Sequence, residues 1–310
     1  MGRGEVMAAT LRTYLELVRF SHTIFALPFA IMAALIAIHW AGEPGTLATG
    51  LAVWAKPAAG ILICMVSGRT ASMAFNRLVD AAIDKANPRT ASRHLPKGEL
   101  NFCDVLVLVA VCCAIFIAAT LLFLPNWLPL VLSTPVLAWM MGYSFAKRFT
   151  MLAHIWLGAA LGLAPIGAWL AIRGSIVLID PIDLLPALIL GAAVMAWVAG
   201  FDTIYACQDA AFDAAHGLQS LPARLGVPRA LRVAALLHGF TLLFLALLPL
   251  VVPEMGTIYW LALVAIAALL FWEHALVQPD DLSRVNEAFF NANAIVSVLL
   301  LAAIALDLWL

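Results

Sequence analysis

Charge is what this sequence has least of. Only 11% of its 310 residues are Asp, Glu, Lys or Arg, and 65% are hydrophobic. An ordinary soluble domain carries about 25% charged residues. A soluble chain of this length could not hide so much apolar surface, so its solvent is lipid. The formal net charge of −1 gives no reason to expect a nucleic-acid partner. The five cysteines, Cys64, Cys103, Cys112, Cys113 and Cys207, form no CxxC pair and lie mostly in apolar runs. They read as reduced core residues. No His or Cys stands at zinc-ligand spacing, which argues against a transition-metal site. No small-residue cleavage site follows a short apolar core near the N-terminus, so no signal peptide is expected. Val6 spoils the myristoylation pattern that Met1-Gly2 suggests.

What the chain does have is apolar runs, at roughly 11–41, 57–82, 104–124, 127–146, 151–172, 183–206, 229–252, 257–278 and 286–309. Most are long enough to span about 30 Å of hydrocarbon as helices. The expected fold is an all-α membrane protein of nine transmembrane helices, a single integral-membrane domain over 1–310 with its termini on opposite sides. Turn residues mark the breaks, as at Gly42-Glu-Pro-Gly45, Pro125-Asn126 and Pro253-Glu254. One side carries Arg3, Arg12, Arg19, Lys85, Arg89, Arg93, Lys97, Lys147, Arg148, Arg224, Arg229, Arg232 and Arg284. The other has little beyond Lys56 and Arg173. The positive-inside rule puts the first side, and the N-terminus, in the cytoplasm. The two halves echo each other as quasi-repeats over about 11–146 and 151–278, with the helix at about 286–309 added. Repeat interfaces in membrane proteins commonly hold the site.

The rare acids are clustered. Helix 2 ends in Asn76, Asp80 and Asp84, and helix 6 ends in Asp202, Asp209 and Asp213. Carboxylates at the end of a membrane helix are expensive, so two matched sets need a reason. Residues four or seven apart share a helix face, which lines up each set. Carboxylate and amide oxygens suit Mg²⁺, which takes few protein ligands and fills its shell with water and phosphate. Two such faces could hold Mg²⁺ ions with a diphosphate between them. Basic residues follow on the same side: Arg89 and Arg93 after the first cluster, then Tyr143, Lys147 and Arg148 at the end of helix 4. Arg grips phosphate oxygens through its planar fork, and Lys acts as a point charge. Acids for metal and bases for phosphate are the parts needed to ionise an allylic diphosphate.

Each feature has a blander reading. Acids and bases at helix ends are often interfacial anchors, but repetition on two related helices argues against that here. Arg69 lies seven residues before Asn76, on the same face and deeper, either facing a cavity or serving as a structural hydrogen-bond partner. Glu287, Asn291, Asn293, His274 and Gln278 read as interhelical glue. His22 and His154 read as interfacial or packing residues rather than bases. A secondary transporter could also use buried carboxylates and repeats, but its acids tend to sit near the midplane, whereas all but Asp202 lie at or near the cytoplasmic helix ends. A non-catalytic isoprenoid- or quinone-binding protein would need no metal clamp.

Together these motifs resemble the UbiA-type intramembrane aromatic prenyltransferases. The NxxxDxxxD motif of that superfamily matches Asn76, Asp80 and Asp84, and its DxxxD motif matches Asp209 and Asp213, preceded by Asp202 and Tyr205. The usual PRTxxRPLPxG loop reads Pro88-Arg-Thr-Ala-Ser-Arg-His-Leu-Pro-Lys-Gly98, with His94 in place of Pro. A tyrosine–lysine–arginine segment after helix 4 is also typical, and Ser144 stands where Pro is frequent. The segments around His22–Pro28, Ala71–Asn76 and Gly200–Asp209 are most similar to the bacterial 4-hydroxybenzoate polyprenyltransferase-like group, which includes futalosine-route menaquinone members.

The resemblance implies nine helices around a central cavity, capped by cytoplasmic loops and open sideways to lipid, in a bacterial inner membrane. It implies Mg²⁺-dependent transfer of a polyprenyl chain from polyprenyl diphosphate to an aromatic acid, for ubiquinone or menaquinone synthesis. Haem-O and chlorophyll synthases share the first motif but use porphyrin acceptors. On this reading Asn76, Asp80, Asp84, Asp209 and Asp213 hold metal, and Arg89, Arg93, Tyr143, Lys147 and Arg148 bind diphosphate. Asp202 or Tyr205 helps remove the ring proton, and Arg69 pairs with the acceptor carboxylate. Acceptor identity, prenyl chain length and oligomeric state stay open.

Overall fold

A computed structural model of the chain describes residues 13–14, 16–18, 27–42, 47–287 and 293–310. Arg3, Arg12, Arg19, His22 and Asn291 lie outside them. The described residues are helical, with no β-strand among them. In chain order the helices are α1 (Leu27–Ala41), α2 (Leu47–Val79), α3 (Ala81–Ala86), α4 (Phe102–Thr120), α5 (Leu128–Ala146) and α6 (Ala153–Val177). The second half supplies α7 (Leu185–Ala206), α8 (Ala210–Ala215), α9 (Leu221–Leu225), α10 (Val227–Leu247), α11 (Thr257–Leu276) and α12 (Asn293–Trp309).

In lipid only a helix satisfies its own backbone, so each apolar run must coil. Seven helical stretches are long and apolar enough to cross a membrane: 53–79, 102–123, 128–146, 153–177, 181–215, 227–250 and 257–276. The helices α1 and α12 are shorter apolar helices. They are the described parts of the first and last segments expected from the sequence.

The core is not evenly shared. Phe29, Met32, Ala33 and Ile36 on α1 are buried, as are Leu190, Val194 and Trp197 on α7. These pack with α6, α10, α11 and α12 into one large apolar cluster. Between α6 and α7 the backbones nearly touch. A Cβ on Gly162 would come within 2.6 Å of the Gly191 carbonyl oxygen, and one on Gly191 within 2.8 Å of that of Gly162. Small residues permit such approach between membrane helices. Other helix contacts are polar. Asn293 donates to Glu273 at 3.2 Å, and His274 Nε2 lies 3.0 Å from His238 Nδ1. Asn293 and His274 thus join helices as expected, with Glu273 and His238 as partners the sequence did not reveal. Gln278 instead pairs through its backbone with Asp281. At the opposite end of the helices, Arg173 is buried and pairs through Nε with Asp183 at 2.9 and 3.0 Å, so it is no free loop cation.

Candidate active site

Both acidic motifs fold into the same local shape. The long helix α2 stops at Val79, Asp80 takes φ −93° and ψ 6°, and the six-residue α3 follows. In the second motif Asp209 takes φ −101° and ψ 1° before the six-residue α8. Both sit in the sparsely populated bridge region between helix and strand. The sequence suggests an unbroken helix through each motif, whereas each bends at its first DxxxD aspartate. The face survives the bend, because Asp80 N still bonds Asn76 O at 2.9 Å and Asp84 N bonds Asp80 O at 2.7 Å.

Every candidate residue named from the sequence lines one cavity of about 260 Å³: Arg69, Asn76, Asp80, Asp84, Arg89, Arg93, Tyr143, Lys147, Arg148, Asp202, Tyr205, Asp209 and Asp213. Acids and bases pair off within it. Arg89 forks onto Asp209, with Nε to Oδ1 at 2.8 Å, and donates to Tyr205 Oη at 2.9 Å. Arg93 reaches both oxygens of Asp84 at 2.6 and 2.7 Å. Arg148 is 3.4 Å from Asp80, and Lys147 is 4.0 Å from Asp213. The Arg89–Asp209 pair ties the loop of the first repeat to the motif of the second. Asn87 does the same, donating to Asp209 Oδ1 at 3.0 Å. Asn87 is not among the residues singled out from the sequence. Its place two residues before Arg89, in the loop that follows the first motif, was the available signal.

The electrostatics follow from crowding. Burial and the neighbouring Asp84 push the Asp80 carboxyl above the ordinary carboxylate range, against the pull of Lys147 and Arg148. Burial works against the Arg89 charge, but Asp209 and Tyr205 outweigh it and hold that guanidinium above its usual value.

Arg69 sits at a boundary. It lines the polar cavity and also a second, apolar chamber of about 330 Å³, together with Met73, Tyr143, Leu157 and Leu161. Farther in, the chamber is walled by residues such as Phe116, Phe123, Leu132, Val136 and Met140. Its serine and threonine hydroxyls are turned to backbone carbonyls: Ser72 to Met140 at 2.8 Å, Thr120 to Ile117 at 2.6 Å and Ser133 to Leu130 at 2.7 Å. Arg69 Nε is buried and has no hydrogen-bond partner among the described residues. The chamber lies between α2, α4, α5 and α6, so the hollow belongs mainly to the first half of the chain.

The donor set suits a hard cation. All candidate ligands are oxygens, and Asp213 Oδ2 is buried without a hydrogen-bond partner among the described residues. No three His, Cys, Asp or Glu among those residues converge on one point.

His154 departs from its expected packing role. It lies in the first turn of α6 with its Nδ1 2.6 Å from Asp202 Oδ2 on α7.

The UbiA prenyltransferase family matches residues 26–295. The 4-hydroxybenzoate octaprenyltransferase of Chromohalobacter salexigens is 32% identical over 270 residues, 86% of this chain and 87% of that one. A solved UbiA homologue from Aeropyrum pernix K1 superposes with a TM-score of 0.78 at 34% identity, covering 93% of this chain and 98% of that one. A homologue from Archaeoglobus fulgidus, bound to DMAPP and Mg²⁺, gives a TM-score of 0.68 at 20% identity, over 96% of this chain and 99% of that one.

Proposed function

Because the chain belongs to the UbiA prenyltransferase family, and is thus a membrane-embedded prenyltransferase, we propose that it moves a polyprenyl group from polyprenyl diphosphate onto the ring of an aromatic acid. The relatives' activity favours 4-hydroxybenzoate, and hence ubiquinone synthesis, over a dihydroxynaphthoate. It gives no support to a porphyrin acceptor, and family membership removes the transporter reading. The one observation that carries the choice of acceptor is Arg69. A half-buried arginine whose Nε has no hydrogen-bond partner among the described residues, at the join of a polar cavity and an apolar chamber, calls for an anion with an apolar body.

Asn76, Asp80, Asp84, Asp209 and Asp213 would hold Mg²⁺, the ion bound in the Archaeoglobus homologue. The ion supplies Lewis-acid stabilisation of the leaving diphosphate. Arg89, Arg93, Lys147 and Arg148 exchange their carboxylate partners for diphosphate oxygens, with Tyr143 beside them. The apolar chamber takes hydrocarbon, since its walls are mostly apolar and its serine and threonine hydroxyls are turned to backbone carbonyls. Walls such as Leu157, Leu161 and Phe201 shelter the allylic cation from water. The acceptor ring, activated by its hydroxyl, attacks as carbon nucleophile, and its proton leaves toward Asp202 or Tyr205. The chain forms one nine-span unit in a bacterial inner membrane, with this cavity facing the cytoplasm, where the positive-inside rule puts Arg93, Arg148 and Arg224.

The test is incubation of purified protein with labelled polyprenyl diphosphate and a panel of aromatic acids. Ring-prenylated 4-hydroxybenzoate is the expected product. Transfer to dihydroxynaphthoate alone would move the enzyme to menaquinone synthesis.

A further inference from the structure

His154 is fully buried, yet it is not satisfied by packing. Its Nδ1 bonds Asp202 Oδ2 at 2.6 Å, while its Nε2 is buried with no hydrogen-bond partner among the described residues. Asp202 lines the cavity with its side chain 23% exposed. A carboxylate can only accept, so Nδ1 carries the hydrogen of this bond and the imidazole is the donor to Asp202. The nearest cations, Lys147 and Arg89, are already turned to Asp213 and Asp209.

We infer that His154 is a positioning residue that holds Asp202 ionised and aimed as the base for the ring proton. The inference rests on the prenyl transfer proposed above. In that reaction the C1–O bond breaks and its electron pair leaves with diphosphate. The ring carbon beside the hydroxyl gives its π pair to C1. The ring C–H bond then breaks, its electrons restore aromaticity, and the proton passes to Asp202 Oδ1. The proton departs with diphosphate, leaving the His154 hydrogen bond to Oδ2 intact. The pair resembles in reverse the triad logic in which a carboxylate orients a histidine.

The experiment compares 4-hydroxybenzoate with the acceptor deuterated at both carbons beside its hydroxyl. In the wild type the isotope effect on kcat should be near unity, as expected where ionisation of the C–O bond rather than proton removal limits turnover. His154→Phe should lower kcat about 10²-fold, the low end of general-base contributions. It should leave both KM values within about threefold and raise the isotope effect to about 3 or more, as proton removal becomes limiting. His154→Asn, whose amide can replace Nδ1–H, should restore most of kcat and an isotope effect near unity. His154→Gln, which overreaches that position, should behave like His154→Phe and stands in for it if the aromatic variant does not fold. Full turnover in the Phe or Gln variant overturns the inference, as does a loss with a unit isotope effect or a loss Asn cannot rescue. Absence of prenyl transfer in the wild type is a separate failure, that of the reaction itself.

Discussion

Replacing Arg69 by leucine should separate binding of the acceptor from binding of the diphosphate. Arg69 lies seven residues before Asn76, about 10 Å deeper along α2. Its Nε has no partner, and the cavity and chamber meet at its side chain. Truncating one member of a buried charged pair costs about 2–5 kcal/mol. Arg69 is only partly buried, so the lower part of that range applies, about 2–3 kcal/mol, or about 30–150-fold in acceptor KM. The prenyl diphosphate KM should change by less than about threefold, because the phosphate cations are untouched. Lysine at this position should recover only part of the loss, since it lacks the bidentate fork. Stability should move the other way. Leucine removes an unsatisfied buried donor, so the variant's thermal midpoint in detergent should equal or exceed that of the wild type. The assay is a pair of saturation curves per variant, with a melting curve as control. An Arg69→Leu enzyme with a normal acceptor KM and a raised prenyl diphosphate KM would refute the placement of the acceptor.

Asp80→Ala and Asp209→Ala should each remove turnover while the protein stays folded, because each deletes an anion that acts on the charged transition state; full turnover in either would sever the acids from catalysis. Arg148→Leu should raise the prenyl diphosphate KM and spare that of the acceptor, as paired saturation curves can check. The raised Asp80 carboxyl makes protons compete with metal at a higher pH than at an ordinary aspartate. The Mg²⁺ concentration for half-maximal activity should therefore rise as pH falls into the mildly acidic range. Activity titrations at several pH values measure this, and a flat response down to the ordinary aspartate range would contradict it. Val136→Trp should fill the apolar chamber and shift preference to shorter prenyl diphosphates, and an unchanged chain-length profile would place the hydrocarbon elsewhere.

The site was more legible than the way it closes. Charge is so scarce here that the acids and bases stood out, and four- and seven-residue spacing put them on common faces. The bends at Asp80 and Asp209 were not visible, since nothing in Asn76–Asp84 or Asp202–Asp213 is a helix breaker. The contacts that accompany the Asp209 bend, from Arg89 and Asn87, come from about 120 residues away in sequence, out of reach of local patterning. The sequence hides the partner of His154 for a related reason. Its partner Asp202 is 48 residues away, and only the close α6–α7 crossing brings them together. The apolar chamber was likewise hidden, because lipid-facing, core and cavity-lining side chains share one composition in a membrane protein. The two motifs share a local shape, yet the chamber is walled by α2, α4 and α5 with α6 alone from the later helices, an asymmetry that spacing does not reveal.

The most direct test of the account is the product formed by purified protein from 4-hydroxybenzoate and a polyprenyl diphosphate, read by mass spectrometry with Mg²⁺ and with EDTA. The account predicts a product prenylated on the ring carbon beside the hydroxyl, formed with Mg²⁺, abolished by EDTA and absent in Asp80→Ala. Metal-independent transfer, or hydrolysis of the diphosphate with no prenylated acid, would contradict it.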